Sequence, residues 1–205
     1  MLTTLIEHGK TVNVVAYTTK LDGTWNDDQW VKPATKEEML ANFHGWAKPV
    51  QDILHLIHKL DMWALFDHPP ARTFYRKGKI CLLGDAAHAS TPHHGAGAGM
   101  AVEDALILTK LLASISQAAD LQRVFSAYDL TRRPRSQRLV ASSRRIGKIY
   151  DFEDRLIRDD MGAMREYLEH AWDWIWKEDL HVQLAKAKSL FYKRKDSAVE
   201  LRSTL

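Results

Sequence analysis

The sequence is poor in cysteine and has no long apolar run. Cys81 is the only cysteine among the 205 residues, so no disulfide can form within the chain, and a reducing location such as the cytoplasm is expected. No stretch approaches the roughly 20 apolar residues that a membrane-spanning helix needs. The first ten residues include an acidic residue and a glycine, unlike a secretory signal. These absences favour a globular protein without disulfides or a membrane span.

Several motifs that would assign a chemistry are also missing. No G-x-S-x-G segment is present, which argues against a hydrolase with a nucleophile elbow. The glycines at residues 95–99 are not followed by Gly-Lys-Ser or Gly-Lys-Thr, as a phosphate-binding loop requires. No G-x-G-x-x-G turn occurs in the chain, so the usual binding site for the ADP half of a dinucleotide is absent.

Basic residues are concentrated in one segment. Leu121 to Lys148 carries eight basic residues and one acidic residue, which gives this segment a charge of +7 and the rest of the chain −4. Such a segment can contact nucleic acid, an anionic cofactor or solvent. Because the stretch around Arg132, Arg133 and Arg135 lacks interleaved aromatic residues and a known nucleic-acid-binding fold, we expect no nucleic-acid partner and interpret the segment as a helix face with anion contacts.

Hydrophobic patterns predict strands in the first part of the chain and helices in the second. Apolar and β-branched runs predict strands at 11–17, 62–66 and 79–83, the last one buried. A capping box at Thr35 and Glu38 predicts a helix that ends near Phe43, and Pro49 suits a second helix at 49–60. Further helices are predicted at 99–112, 121–133, 136–158 and 161–193, with a kink or break at Pro134. Tryptophans 172, 174 and 176 are expected to pack a terminal helix onto the core.

The segment from Lys79 to Leu112 has the clearest chemical pattern, namely strand, tight turn, glycine-rich loop and helix. Gly84 allows a sharp turn after the strand. Asp85 then lies at the carboxyl end of the strand, where a carboxylate can accept hydrogen bonds from polyol hydroxyls. The glycines of residues 95–99 leave room for a flat ligand near the helix start, where free N–H groups and the helix dipole favour negative charge. The same glycines also suit a helix start that binds no ligand.

These residues resemble the second FAD motif of class A flavin-dependent aromatic-ring monooxygenases, and most of all their salicylate hydroxylase-like group. The motif comprises Gly84–His88, Pro92, the glycines of residues 95–99, and Glu103–Ala105. The resemblance extends over nearly the whole chain, upstream to residues 13–16, 46 and 63–67, and downstream to residues 128–135 and 174–176.

The resemblance implies an FAD-dependent enzyme that uses NAD(P)H and O2 to hydroxylate a small aromatic substrate. In this family the aspartate that matches Asp85 binds the ribityl hydroxyls or the nearby pyrophosphate, and the loop that matches Pro92 to Met100 lies along the isoalloxazine ring. Backbone N–H groups of this loop are expected to face the position where the flavin gathers negative charge. The implied cofactor-binding residues are Gly84, Asp85, Ala86, His88, Pro92, Gly95, Gly97, Ala98, Gly99 and Met100.

Three histidines lie within or beside this turn. By the resemblance, His93 and His94 lie near the flavin ring and are the candidate catalytic residues, through substrate contact or proton transfer; simple loop packing is the alternative. His88 is expected to be a hydrogen-bonded turn residue as well as part of the implied cofactor set. No metal site is expected, because the three histidines lack the regular spacing of metal ligands. Cys81 is expected to be packed rather than nucleophilic.

The expected fold is α+β, an incomplete FAD/NAD(P)-binding monooxygenase fold in which part of a substrate-domain sheet precedes a mostly helical C-terminal half. Residues 1–76 are expected to form a partial substrate-binding domain, 77–150 the C-terminal part of the FAD-binding domain, and 151–205 a helical tail. The resemblance thus covers the C-terminal portion of such an enzyme.

The missing G-x-G-x-x-G half predicts that the chain alone does not hold FAD tightly and is inactive by itself. The expected macromolecular partners are therefore the missing N-terminal half or a second copy, paired through exposed sheet edges. The alternative function is a catalytically dead remnant that serves as a protein-interaction module.

Overall fold

The computed structural model describes residues 1–19, 23–76 and 79–203. The chain divides into two compact units, Met1–Ala64 and Leu65–Leu205. The predicted domain boundary at residue 77 lies outside the described residues, and the functional division into three parts stays a prediction. In the described part of the chain, no helix is long and apolar enough to cross a membrane.

The first unit contains two β-hairpins and two short helices. Strands β1 (Leu2–Ile6) and β2 (Thr11–Val15) are antiparallel, with Leu2 opposite Val15. Strands β3 (Val31–Pro33) and β4 (Asp61–Trp63) form a second antiparallel pair, and between them in sequence come helices α1 (Lys36–Asn42) and α2 (Lys48–His55). The small core of this unit consists of Met39, Phe43 and Leu54 with partly buried apolar neighbours.

Local sequence signals predict β2, α1, α2 and β4 of the first unit, whereas β1 and β3 were not predicted. The capping box is confirmed: the Thr35 hydroxyl accepts a hydrogen bond from the Glu38 amide at 3.1 Å, and the Glu38 carboxylate accepts one from the Thr35 amide at 3.0 Å. Helix α2 ends at His55, five residues earlier than predicted, although Ile57 and Leu60 still pack against the small core. Strand β4 is shorter than the predicted 62–66 because its partner β3 has only three residues.

The second unit is mostly helical. It begins with a hairpin of β5 (Tyr75–Arg76) and β6 (Ile80–Cys81). The helices that follow are α3 (Asp85–His88), α4 (Gly97–Leu112), α5 (Leu121–Tyr150), α6 (Met161–His170), α7 (Asp173–Trp176) and α8 (Leu180–Ser203). The main core lies where α4, α5 and α8 pack together, around Ile107, Leu111, Val124, Tyr128 and Phe191.

The predicted buried strand at 79–83 is wrong in length and in burial. Only Ile80 and Cys81 form a strand, and the side chains of Ile80, Leu82 and Leu83 are 66%, 42% and 39% exposed. An apolar run indicates that a strand is suited to a buried position. Whether the strand is buried depends on the elements that pack against it. Here β6 has β5 as its hydrogen-bonded neighbour.

Pro134 was predicted either to kink the helix or to start a new one, and the break is wrong. Helix α5 continues for 30 residues with Pro134 inside it, and a kink at this position stays a prediction. The proline is exposed, and the buried residues of α5 pack along its length, so tertiary packing outweighs the local cost of one missing backbone hydrogen bond.

Helices end at other positions than predicted in the second unit. Helix α5 ends at Tyr150 rather than Arg158, and the predicted helix at 161–193 is divided into α6, α7 and α8. Asp160 accepts hydrogen bonds from the amides of Gly162 and Ala163 at the start of α6. Asp179 does the same for the His181 amide at the start of α8. Such caps are local signals, and the helical period alone does not reveal them.

Candidate functional site

Gly84 makes the turn between β6 and α3. Its φ of +58° and ψ of −144° lie in a region that side-chain-bearing residues avoid. A Cβ added to Gly84 would lie 3.2 Å from the Cβ of Ala101. The Gly84 carbonyl accepts hydrogen bonds from the amides of Ala87 and His88, both at 2.9 Å. The turn therefore requires glycine both for its backbone conformation and for its close approach to α4.

Asp85 is the first residue of α3 and is exposed. The sequence places it correctly after a strand, but that strand is a two-residue member of an antiparallel hairpin. Its carboxylate is presented at the surface directly after the Gly84 turn, where it is available to accept hydrogen bonds from a ligand.

Most of the predicted cofactor-binding residues share this exposed surface. Helix α4 begins at Gly97, two residues earlier than predicted, after a short 3-10 turn at Pro92–His94. The residue before α4 is Ala96, whose side chain cannot cap the first amides, so these N–H groups favour an anionic or electron-rich group. The exposed members of the predicted set are Asp85, Ala86, Pro92, Gly95, Ala98 and Gly99, and Gly97 is half-buried.

Gly84 and two further members of the predicted set, His88 and Met100, are buried instead. His88 is 2% exposed and Met100 is 1% exposed. The Nε2 atom of His88 lies 2.5 Å from Oδ2 of Asp104, and the same oxygen accepts a hydrogen bond from the Gly84 amide at 3.1 Å. The expectation that His88 is a hydrogen-bonded turn residue is confirmed. Its contact with a cofactor stays a prediction, since its ring faces the inside of the unit.

The carboxylate of Asp104 and the guanidinium of Arg132 form a fully buried ion pair. Both side chains are 0% exposed, and Nε of Arg132 donates to Oδ1 of Asp104 at 2.7 Å. Nη1 of Arg132 also lies 2.7 Å from Glu103 Oε2 and 2.6 Å from Gln183 Oε1. Sequence reasoning noted the acidic residues of α4 and the basic segment of α5, but it did not identify this pairing.

The arginines hold both carboxyl groups of α4 in their ionised forms. Burial raises the pKa of Asp104, but the hydrogen bonds from His88 and Arg132 lower it more, so the net shift is downward. Burial likewise raises the pKa of Glu103, while the Arg135 hydrogen bonds and the charge of Arg132 lower it below its ordinary value. Both carboxylates are therefore negative at neutral pH.

Most basic side chains of α5 form ion pairs with carboxylates of the same chain. Arg135 makes two 2.8 Å hydrogen bonds to Glu103, and its guanidinium lies 5.3 Å from the ring of Trp174. The expected anion contacts of this helix face are carboxylates of the protein itself. Those basic residues of the segment that pair with a carboxylate are Arg123, Arg132, Arg133, Arg135, Arg144 and Arg145.

His94 is packed beneath the loop. It is 4% exposed, its amide donates to Ser143 Oγ at 3.2 Å, and its Nε2 lies 2.6 Å from Ser142 Oγ. Trp172 donates from Nε1 to the His94 carbonyl at 2.9 Å, and the two rings meet edge to face. The expectation that Trp172 packs the terminal part onto the core is confirmed, whereas Trp176 is 73% exposed.

His93 is half-buried and lies against α5. A Cβ added to Gly147 would come within 2.8 Å of His93 Cε1, so this glycine makes room for the ring. Burial lowers the pKa of His93, while the charge of Asp151 opposes this shift. Burial and the neighbouring His93 lower the pKa of His94. Both rings are therefore neutral at pH 7, and their catalytic role stays a prediction.

The structure provides no metal ligands and no reactive thiol among the described residues. Within 1–19, 23–76 and 79–203, no three His, Cys, Asp or Glu side chains come together as metal ligands. Burial, reinforced by the charges of Asp129 and Asp104, raises the pKa of Cys81 to about 12. The thiol is therefore protonated at neutral pH, in agreement with the expectation that it is packed rather than nucleophilic.

The exposed residues after the Gly84 turn offer groups that can bind a polyol or a flat ring. Asp85 offers hydrogen-bond acceptors, and residues 95–99 offer backbone without large side chains beside the first amides of α4. A family model described as "FAD binding domain" matches residues 11–143. The chain belongs to this FAD-binding family.

Curated relatives agree with this assignment. The chain is 37% identical to the 6-methylsalicylate 1-monooxygenase of Aspergillus terreus over 191 residues, which are 93% of this chain and 42% of that protein. It is also 37% identical to a salicylate hydroxylase of Pseudomonas putida over 193 residues, which are 92% of this chain and 44% of the relative. The chain thus spans less than half the length of these relatives. Their names confirm the resemblance to FAD-dependent aromatic-ring monooxygenases of the salicylate hydroxylase-like group.

A solved structure supports the fold. The structure of a salicylate hydroxylase in complex with its substrate matches 80% of this chain and 40% of its own, with a TM-score of 0.75 and 37% identity. The mostly helical arrangement with small sheets is therefore that of the monooxygenase fold. The detailed division into partial domains stays a prediction.

Proposed function

We propose that this chain forms the part of an FAD-dependent monooxygenase that holds the ribityl and isoalloxazine portions of the cofactor, in an enzyme that hydroxylates a small aromatic compound with NAD(P)H and O2. The observation that carries the proposal is the set of exposed residues that follows the Gly84 turn, namely Asp85, Ala86, Pro92, Gly95, Ala98 and Gly99. The two relatives named for salicylate and 6-methylsalicylate support the substrate class.

Each part of this surface has a distinct role in the proposal. The carboxylate of Asp85 accepts hydrogen bonds from ribityl hydroxyls, and the first amides of α4 lie against the electron-rich side of the ring. Ala98 and the glycines allow the ring to approach the backbone. Bound FAD supplies the redox chemistry, which takes electrons from NAD(P)H and activates O2.

Of the two candidate catalytic histidines, His93 is the better placed. It is half-buried, whereas His94 is 4% exposed and engages Ser142 and Ser143. Its lowered pKa keeps the ring neutral at pH 7, so it can accept a proton. In the proposal, His93 takes part in proton transfer and His94 holds the loop in place.

We further propose that the chain alone does not retain FAD. It has no G-x-G-x-x-G turn for the ADP half, and the exposed apolar side chains of Ile80 in β6 and of Leu82 and Leu83 after it suit burial against a further segment. That segment belongs to an ADP-binding half in the same or another polypeptide; burial against a second copy is the competing outcome. The single cysteine suits a reducing compartment, and a cytoplasmic location is part of the proposal.

A titration with riboflavin, which contains the ring and the ribityl chain without ADP, tests this function. Asp85→Asn is expected to weaken riboflavin binding about tenfold, because it replaces a charged acceptor. Asp159→Asn changes an equally exposed acid between α5 and α6 and serves as the control. Equal fluorescence quenching by riboflavin in the wild type and in Asp85→Asn would contradict the assignment of Asp85.

A second candidate function is an interaction module without catalysis. Large apolar side chains are exposed in both units, among them Leu5 at 69%, Trp30 at 68% and Leu156 at 85%, and exposed apolar surface marks interaction sites. Failure of the chain to bind riboflavin would favour this function over the first, since both functions leave the chain alone without NAD(P)H oxidation.

A further inference from the structure

We infer that Asp104 and Arg132 are a buried positioning pair that holds the Gly84–His88 turn in shape, with Gln183 of α8 holding Arg132. This inference deepens the proposed function and rests on it, because the turn is the element that presents Asp85 to the flavin.

Asp104 of α4 holds the two ends of the Gly84–His88 turn together. Its Oδ2 atom bridges the two ends of the turn, at 3.1 Å from the Gly84 amide and 2.5 Å from His88 Nε2. The turn is also closed by the hydrogen bond from the His88 amide to the Gly84 carbonyl. Asp85 lies between these two anchored residues, so the position of its carboxylate depends on a side chain of α4.

Arg132 fixes the orientation of Asp104. Its Nε donates to Oδ1, the carboxylate oxygen that does not contact the turn. The other guanidinium nitrogens contact Glu103, the side-chain oxygen of Gln183 and the Met100 carbonyl. A buried arginine is tolerated only when its charge is balanced and its donors are satisfied. The guanidinium therefore has one arrangement, which links the Gly84 turn to α4 and α8.

The neighbouring pair of Arg133 and Asp129 provides a matched comparison. Both residues lie in α5, and Arg133 directly follows Arg132. The distances from Arg133 Nε to the two carboxylate oxygens of Asp129 are 3.1 and 3.2 Å. Asp129 also accepts a hydrogen bond from a backbone amide, that of Phe74, at 2.7 Å. Phe74 directly precedes β5, so Asp129 anchors the start of that strand, whereas Asp104 anchors the Gly84 turn. Loss of the Arg133–Asp129 pair thus reports the general effect of breaking an ion pair in α5.

Amide hydrogen exchange of the purified chain, followed by NMR, tests the pair without any flavin. Asp104→Asn replaces one carboxylate oxygen by an NH2 group, which faces a donor on whichever side it takes, the Gly84 amide or Arg132 Nε. On the turn side the Gly84 amide loses its acceptor, and on the other side Arg132 no longer fixes the side chain that holds the turn. In both orientations the Gly84 amide is expected to exchange about tenfold faster or more, whereas Arg133→Gln leaves it within about twofold of the wild type. Unchanged exchange at Gly84 in a folded Asp104→Asn chain would overturn the inference.

Milder variants keep the test decisive if Asp104→Asn does not fold. Arg132→Lys keeps the charge and loses the fork, and Gln183→Ala removes only the outermost partner. Both are expected to accelerate Gly84 exchange, with the larger effect in Arg132→Lys; no effect in either would again overturn the pair.

Riboflavin titration of the same variants separates this inference from the proposed function. Weaker binding in Arg132→Lys than in Arg133→Gln supports both. If the wild type binds no riboflavin while the exchange pattern is as expected, the proposed function fails and the positioning pair stands. If riboflavin binds equally to all variants and Gly84 exchange is unchanged, the pair fails and the proposed function stands.

Discussion

The outer and inner sides of the Gly84–Met100 segment differ in almost every property. On the outer side, Asp85, Pro92 and Gly99 are exposed and offer backbone and one carboxylate. On the inner side, His88 and His94 are at most 4% exposed and bonded to side chains of α4 and α5. One sequence motif thus combines the exposed surface that we propose for the flavin with the buried side chains that support it. The residues of the motif should therefore respond differently to substitution, according to the side on which they lie.

The largest expected effect follows from removing the charge on the inner side. Arg132→Met leaves the buried Asp104 without its arginine partner and removes one of the two arginines that pair with Glu103, which should lower the free energy of unfolding by about 3–5 kcal/mol. Arg144→Gln is the control, because its ion pair with Asp67 is partly exposed and should contribute about 1 kcal/mol or less. Urea denaturation of the two variants measures the difference. Equal losses of unfolding free energy in the two variants would mean that the buried Asp104–Arg132 pair contributes no more to stability than the partly exposed Asp67–Arg144 pair.

The next largest effect is expected at the point where the two sides meet. Gly84→Ala should cost about 1–3 kcal/mol, because the backbone conformation is strained for alanine and Ala101 is close. Gly95→Ala, where φ is +64° and nothing lies within 4 Å of the added Cβ, should cost about 1 kcal/mol. Thermal denaturation of both variants gives the comparison, and a larger loss at Gly95 would show that crowding against α4 is unimportant.

A substitution on the outer side should have the opposite sign. Gly99 lies in the first turn of α4 with open space around it, so Gly99→Ala should stabilise the chain by about 0.5–1 kcal/mol through helix propensity. The same methyl group crowds the surface proposed for the ring and should weaken riboflavin binding. Denaturation and titration are measured on one preparation. A variant that is more stable and binds riboflavin as well as the wild type would separate Gly99 from the ligand surface.

The smallest effect concerns pH. Burial lowers the pKa of His93 and His94 in the folded chain below the ordinary histidine value of 6.5. At a pH near or below 6.5 the unfolded chain therefore binds more protons at these two residues than the folded chain does. Stability should therefore fall as the pH decreases through 6.5 towards 5. Asp104 and Glu103, whose pKa values are lowered, remain ionised in this window. His94→Gln should make the slope of unfolding free energy against pH shallower, and an unchanged slope would assign the titration elsewhere.

Local signals in the sequence were sufficient for the outer side and for several helix ends. The Gly84 turn, the exposed Asp85 and the capping box at Thr35 depend on residues close together in sequence. The inner side depends on contacts between distant positions: Arg132 is 28 residues from Asp104 and 51 from Gln183. A single sequence contains no signal that pairs one arginine of the basic segment with one of several acids.

The errors in the predicted elements have the same origin. The apolar run around Ile80 was expected to be buried, yet burial depends on neighbouring strands and not on the run itself. Pro134 was expected to kink a helix or to start the next one, yet α5 continues through it and packs against α4 and α8. Tertiary context decides both cases.

The affinity of the wild-type chain for riboflavin and for FAD, measured side by side by fluorescence titration, shows which portions of the cofactor the chain binds. If the chain presents only the ribityl and isoalloxazine side of the site, as proposed, the two affinities should agree within about threefold, a difference below 1 kcal/mol. FAD binding that is about a hundredfold tighter would show that this chain also holds the ADP half, and the absence of any riboflavin binding would contradict the flavin site itself.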